Sequence, residues 1–361
     1  GEGGAATPLA TLRAQFGATG KTKWAAYVAG VLGVLAHEPE SKAALKACGG
    51  VSVLVSSAVP EGKGVSSSAA VEVATMMASL GALGVTIEPA ERIAMLCQRV
   101  ENFVVGAPCG IMDQMASALG AEGRLLPLLC QPHTVESPLV TIPSHLRFWG
   151  IDSGVRHSVG GSDYGTVRCA TFMAKTVLQK VLAKRAQTAT DDSAQLSSAA
   201  LPATTTALKH LVELSPSLFE EIKSSLPTSI SGADFLKEYG SHGDNATTIE
   251  PETMYELRGC AAHPIYEHFR VGAFRTLLAA APSTSQLIQL GELMYQSHAS
   301  YSAVGLGSEV TDTIVKLVRS LGFRDLAVAG LYYGDMYTVE EQGVRAESRR
   351  RTTGSRPSRP A

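Results

Sequence analysis

The stretch Val59-Pro60-Glu61-Gly62-Lys63-Gly64-Val65-Ser66-Ser67-Ser68-Ala69-Ala70 constrains the fold more than any other part of the chain. Residues 51–59 before it are β-branched and partly alternating, the pattern of a strand. Residues 69–83 after it are rich in helix formers. A strand is thus joined to a helix through a Gly/Ser loop. Gly62 and Gly64 allow positive φ and close approach of a ligand to the backbone, and the serines can cap the helix while its first N–H groups point outward. With the helix dipole, those N–H groups make an anion site. Three hydroxyls in a row add donors for phosphate and a hard oxygen for Mg²⁺. The loop is not a Walker A loop, which closes with Gly-Lys-Ser/Thr, nor a dinucleotide fingerprint, whose glycine spacing differs. Taken alone, it reads equally well as a strand-to-helix turn with a serine N-cap.

At 361 residues the chain can hold two domains, each with its own core. A net charge of −2 argues against a general nucleic-acid or membrane-surface role and leaves small-molecule chemistry as the expectation. The six cysteines, Cys48, Cys97, Cys109, Cys130, Cys169 and Cys260, are scattered without a C-x-x-C pair, which fits incidental thiols in a reducing compartment. There is no charged-then-apolar leader and no apolar run long enough to span a bilayer. A soluble, cytoplasmic protein is therefore expected, and the initial Gly in place of Met suggests that an upstream part has been removed.

Along the chain, residues 9–36 carry apolar side chains at helical spacing, and Trp24, Tyr27, Val28, Val31, Leu32 and Leu35 predict one core-facing stripe. Glu88-Pro89-Ala90-Glu91 predicts a second helix start, running to about residue 105. Gly106-Ala107-Pro108-Cys109-Gly110 breaks that helix, and residues 111–117 start another, which places Asp113 at its first turn. Residues 124–130, 135–142 and 146–151 read as strands. Residues 152–164 form a polar, Gly-rich loop of the kind that collects ligand groups. A helix over 164–184 precedes an Ala/Ser/Thr-rich stretch, 187–206, expected to be a flexible insertion. Further helices are predicted at 208–212, 216–224, 233–239, 264–280, 284–300 and 309–321. Residues 339–361, with six arginines among Ser, Thr, Gly and Pro, are expected to be a disordered basic tail.

Three of these stretches, in order, resemble one family. Pro60 to Ala69 is similar to the second motif (P-x-G-x-G-L-S-S-S-A) of the galactokinase, homoserine, mevalonate and phosphomevalonate kinase superfamily. Pro108-Cys109-Gly110-Ile111-Met112-Asp113-Gln114 resembles the galactokinase segment that carries the catalytic aspartate. Asp152 to Tyr164, including Val155-Arg156-His157-Ser158, resembles the loop that ends on a sugar-contacting tyrosine. Lys63, Trp24 to Gly30 and Arg147-Phe148-Trp149-Gly150 most resemble the L-arabinokinases of plants and green algae.

This resemblance implies an α+β fold of two domains, 1–160 with the phosphate site and 161–338 with helices on an antiparallel sheet, followed by the tail. It implies ATP-dependent phosphorylation of the anomeric hydroxyl of L-arabinose or D-galactose. Pro60, Gly62, Lys63, Gly64, Val65, Ser66, Ser67 and Ser68 would hold ATP, Ser67 and Glu101 would bind Mg²⁺, and Asp113 would take or orient the hydroxyl proton. Gly110, Asp113 and Tyr164 would contact the sugar. The partner is thus a small sugar, with neither nucleic acid nor membrane. The family's first motif has no counterpart before Trp24, and its late Gly-rich motif is replaced by Gly330-Leu331-Tyr332-Tyr333-Gly334-Asp335-Met336-Tyr337. A fragment or mis-joined gene product is expected from these departures, weakly active or inactive. The alternative is a sugar- or nucleotide-binding module without turnover.

Overall fold

The computed structural model describes residues 8–17, 23–107, 109–130, 134–136, 138–154, 162–188, 208–320 and 345–349. The chain divides into two units, Gly1–Thr141 with Gly334–Ala361, and Ile142–Tyr333, whereas the sequence reading draws the boundary after residue 160.

In the first unit, the amphipathic stretch predicted as one helix forms α1 (Leu9–Gly17) and α2 (Ala25–Leu35). Val31, Val34 and Leu35 are completely buried, as their helical spacing requires. Trp24, expected in the same stripe, is 58% exposed at the N-cap of α2. Then come α3 (Pro39–Ala47), β1 (Ser52–Ser56), α4 (Ser67–Leu83) and α5 (Glu91–Val100). The last runs on into a π-helical turn, Glu101–Val105, and α6 (Met112–Leu119) follows the Gly/Pro break. The core joins Val31, Val34 and Leu35 of α2 to Val73, Met76 and Leu80 of α4 and Leu96 and Val100 of α5.

Gly30 sets how closely α2 meets α5: a Cβ there would stand 2.5 Å from Val100 Cγ1. Gly30→Ala should therefore cost about 1–3 kcal/mol by overpacking. A urea denaturation midpoint equal to wild type would show instead that the two helices part freely.

The strands expected at 124–130 and 135–142 reduce to two-residue ladders, and 146–151 is not a strand. β2 (Arg124–Leu125) pairs antiparallel with β5 (Val140–Thr141), enclosing β3 (Leu128–Leu129) and β4 (Thr134–Val135), themselves an antiparallel pair. Two residues per strand are too few for hydrophobic alternation to fix the extent of pairing.

The second unit contains α7 (Ser162–Thr188), α8 (Pro216–Ile222), β6 (Ser229–Ser231), α9 (Gly232–Tyr239), β7 (Met254–Glu256), α10 (Leu257–Leu278), α11 (Thr284–Ala303) and α12 (Glu309–Ser320). Ser215, Ser231 and Ser283 cap α8, α9 and α11 by accepting the N–H three residues on, which is why those helices begin where they do. The Glu256 carboxylate accepts the Gly259 N–H, so α10 starts upstream of the Pro264 predicted to open it. Met173, Leu178, Phe219, Ile222, Phe235, Tyr255 and Ile265 fill one core. The antiparallel β6–β7 pair, with Ile230 opposite Tyr255, was not predicted.

In the first unit, β1 also pairs antiparallel with β8 (Arg345–Arg349), a segment within the stretch read as a basic tail. The rest of that tail, and the predicted insertion from residue 189 on, lie outside the described residues. Helices with small antiparallel ladders make the fold α+β, as expected. Among the described residues no helix is long and apolar enough to cross a membrane.

Candidate active site

Local backbone conformation prepares the start of α4. Gly62 and Gly64 take φ of 67° and 72°, the left-handed region that glycine enters without a Cβ penalty. Ser66 also lies there, at φ 58° and ψ 41°, which is uncommon for a residue with a side chain. In that geometry Ser66 does not cap α4, against the expectation of a serine N-cap, and its Oγ is buried without a partner. Ser67 and Ser68 are the first two residues of α4. The turn delivers an N-terminus that no side chain caps, with Pro60, Lys63 and Val65 exposed beside it.

Ser68 and Glu72, four residues apart, share one face of α4. Two acceptor groups and an amide gather there. Glu101 begins the π-helical turn, and Gln114 lies in the first turn of α6. Glu72 and Gln114 are completely buried and Glu101 is 5% exposed. Gln114 Nε2 donates to Glu101 Oε2 at 2.7 Å and to Glu72 Oε2 at 3.3 Å. The Ser68 hydroxyl also hydrogen-bonds to Glu101.

The break after α5 is pinned around the same residue. The Gly106 and Ala107 N–H groups donate to the Glu101 carbonyl at 2.8 and 3.0 Å. The Cys109 N–H donates to Asn102 Oδ1 at 3.1 Å, and Gln98 Nε2 to the Cys109 carbonyl at 3.3 Å. The Cys109 thiol reaches Glu101 Oε2 at 3.4 Å. Gly110, which follows, is exposed, and Asp113 is half-buried in the first turn of α6, as its position after the break predicts.

Burial is the main cause of the electrostatics. It holds Glu72 well above the usual carboxylate range, and the charge of Glu101 adds to it, while the Gln114 bond opposes it. Burial also raises Glu101, against the hydrogen bonds from Cys109, Ser68 and Gln114, and the nearby charge of Asp113 adds to the rise. Burial and then Glu101 push the Tyr27 hydroxyl and the Cys109 thiol up, so Cys109 serves as a hydrogen-bond donor and not as a thiolate nucleophile.

A carboxyl raised in the folded chain makes that state bind more protons than the unfolded one above the ordinary glutamate pKa of about 4.3. Its favourable contribution is present below that pH and lost as pH rises through the folded pKa. Glu72→Gln removes the titration, so its melting temperature relative to wild type, measured in EDTA, should climb as pH rises above the ordinary glutamate value. A difference independent of pH would contradict a neutral Glu72.

Of the expected site residues, the fold gathers Ser68, Glu101 and Asp113, with Ser67 one residue from Ser68 on α4. Tyr164 belongs to the second unit, in the first turn of α7, where it hydrogen-bonds with Arg168. Pro108, residues 155–161 with Arg156 and His157, and residues 330–337 lie outside the described residues. Sequence reasoning missed Glu72, Gln114 and the thiol of Cys109. One signal was available for Glu72, the lone charged residue of α4.

No group of three or more His, Cys, Asp or Glu is placed to hold a metal among the described residues. Mg²⁺ asks for less: it takes one or two carboxylates and completes its shell with water and phosphate oxygens. Glu101 with an adjoining serine hydroxyl supplies hard oxygens of that kind.

Residues 26–121 match the family described as GHMP kinases N terminal domain. The chain is 47% identical over 312 residues to an L-arabinokinase of Arabidopsis thaliana, covering 83% of this chain and 29% of that protein. It is also similar to galactokinases, at 36% identity over 168 residues to that of Chloroflexus aggregans (45% of this chain, 39% of that one). For the galactokinase of Bos taurus the identity is 40% over 148 residues, covering 40% of this chain and 34% of that one. The chain spans less than half the length of the curated relatives it matches.

Proposed function

We propose that this chain is part of an ATP-dependent sugar 1-kinase acting on L-arabinose, with D-galactose as the weaker substrate. The observation that carries the reading is the convergence of Asp113, Glu101 and Ser68 at the uncapped start of α4, in a chain 47% identical to an L-arabinokinase.

In this reading the backbone N–H groups from Gly62 to Ser68 hold the triphosphate, with Pro60 and Val65 flanking and Lys63 contributing charge. Phosphoryl transfer asks chiefly for alignment and charge stabilisation, which a dipole-backed loop is built to provide. Glu101 and the hydroxyl of Ser67, with Ser68 beside it, would hold Mg²⁺. When bound, that ion neutralises charge on the transferring phosphate. Asp113 accepts the proton of the anomeric hydroxyl, a step in which a placed carboxylate contributes about 10²–10⁴-fold. The Gly110 backbone contacts sugar hydroxyls. Six scattered cysteines suit a reducing compartment, and we place the protein in the cytoplasm.

The test is ADP release by the purified chain with ATP, Mg²⁺ and each sugar. Faster release with arabinose than with galactose is expected, because the two differ by one CH₂OH group that the sugar pocket must sort. Stabilisation by sugar without ADP release would support a binding module in its place.

A further inference from the structure

Glu101 Oε2 is not left to choose its partners. It receives the Gln114 amide at 2.7 Å and the Cys109 thiol at 3.4 Å. The Gln114 amide is itself directed: its nitrogen faces two carboxyl oxygens, and turning the amide over would set its carbonyl oxygen against Glu101 Oε2 at the shorter of the two contacts. Its own Oε1 and Glu72 Oε1 are buried without a partner among the described residues. A completely buried amide between two buried acids is costly unless it does something those acids require.

Resting on the magnesium–nucleotide reading above, we propose that Gln114, held from behind by Glu72, is a positioning residue for Glu101. It commits Oε2 to the protein and leaves Oε1 as the oxygen that ligates the cation. Partners that orient a ligating carboxylate typically set metal affinity by about 10–100-fold.

The probe is Mn²⁺, titrated into the full chain with a non-hydrolysable ATP analogue and followed by the electron paramagnetic resonance of free Mn²⁺. Gln114→Met should weaken Mn²⁺ binding by about 10–100-fold while leaving analogue binding in EDTA within about twofold. A role in packing alone would not divide the two readouts in that way. Glu72→Gln keeps a carbonyl to accept the amide N–H and should stay within about threefold of wild type, whereas Glu72→Met should behave like Gln114→Met. Should Gln114→Met not fold, Gln114→Asn withdraws the same amide by one methylene and carries the same expectation. Folded Gln114 variants that bind Mn²⁺ like wild type would overturn the proposal alone. Wild type that binds the analogue without Mn²⁺ would overturn the magnesium reading and this proposal together.

Discussion

Asp113→Asn is expected to lower the rate of phosphoryl transfer to sugar by about 10²–10⁴-fold, equivalent to ~2.7–5.5 kcal/mol of barrier. The substitution keeps the size of a half-buried side chain in the first turn of α6 but removes its ability to take a proton. It also removes a charge that raises Glu101, so the carboxylate proposed to bind Mg²⁺ should ionise more readily and keep its cation affinity. The signature is therefore a fall in kcat with nucleotide KM within about threefold. A variant with wild-type kcat would remove Asp113 from the mechanism.

The second large effect lies in the other unit. Arg168 forks onto Asp244, Nε to Oδ2 and Nη2 to Oδ1, both at 2.9 Å, and the Thr247 hydroxyl donates to Oδ2 at 2.7 Å. The Asp244 side chain is 3% exposed. Burial opposes its charge, but the bonds from Arg168 and Thr247 outweigh it and bring the carboxyl down to about 2. Asp244→Asn leaves the guanidinium facing an uncharged amide and should cost about 3 kcal/mol of stability near neutral pH. The carboxylate's contribution is present above the unfolded pKa of about 3.9 and lost as pH falls through about 2, so the gap from wild type should close in acid. Urea denaturation at neutral and acid pH checks both parts, and a gap that stays constant would show that the ion pair is not its source.

Much of the candidate site was legible because its chemistry is local. Gly62 and Gly64 announce a positive-φ turn, and the Gly/Pro break before Ile111 places Asp113 in a first turn, as found. The expected serine N-cap is not formed, since Ser66 at that position takes the left-handed region, which serine ordinarily avoids. Glu72 and Gln114 escaped notice for a different reason. Their contacts form only where α4, α6 and the turn after α5 meet, and the one local mark, a single charge in an otherwise uncharged α4, does not name a partner. In the fold, helices with serine caps were placed well, whereas the β6–β7 pair of three residues each carries no period to detect.

The central claim is transfer to the anomeric oxygen. It is tested most directly by incubating the chain with ATP, Mg²⁺ and L-arabinose labelled with ¹³C at C1, and recording the ¹³C spectrum. The account predicts a new C1 signal split by coupling to ³¹P, formed faster than the corresponding signal from C1-labelled D-galactose. Phosphorus coupling at another carbon, or ATP hydrolysis with unlabelled phosphate released and C1 unchanged, would contradict it.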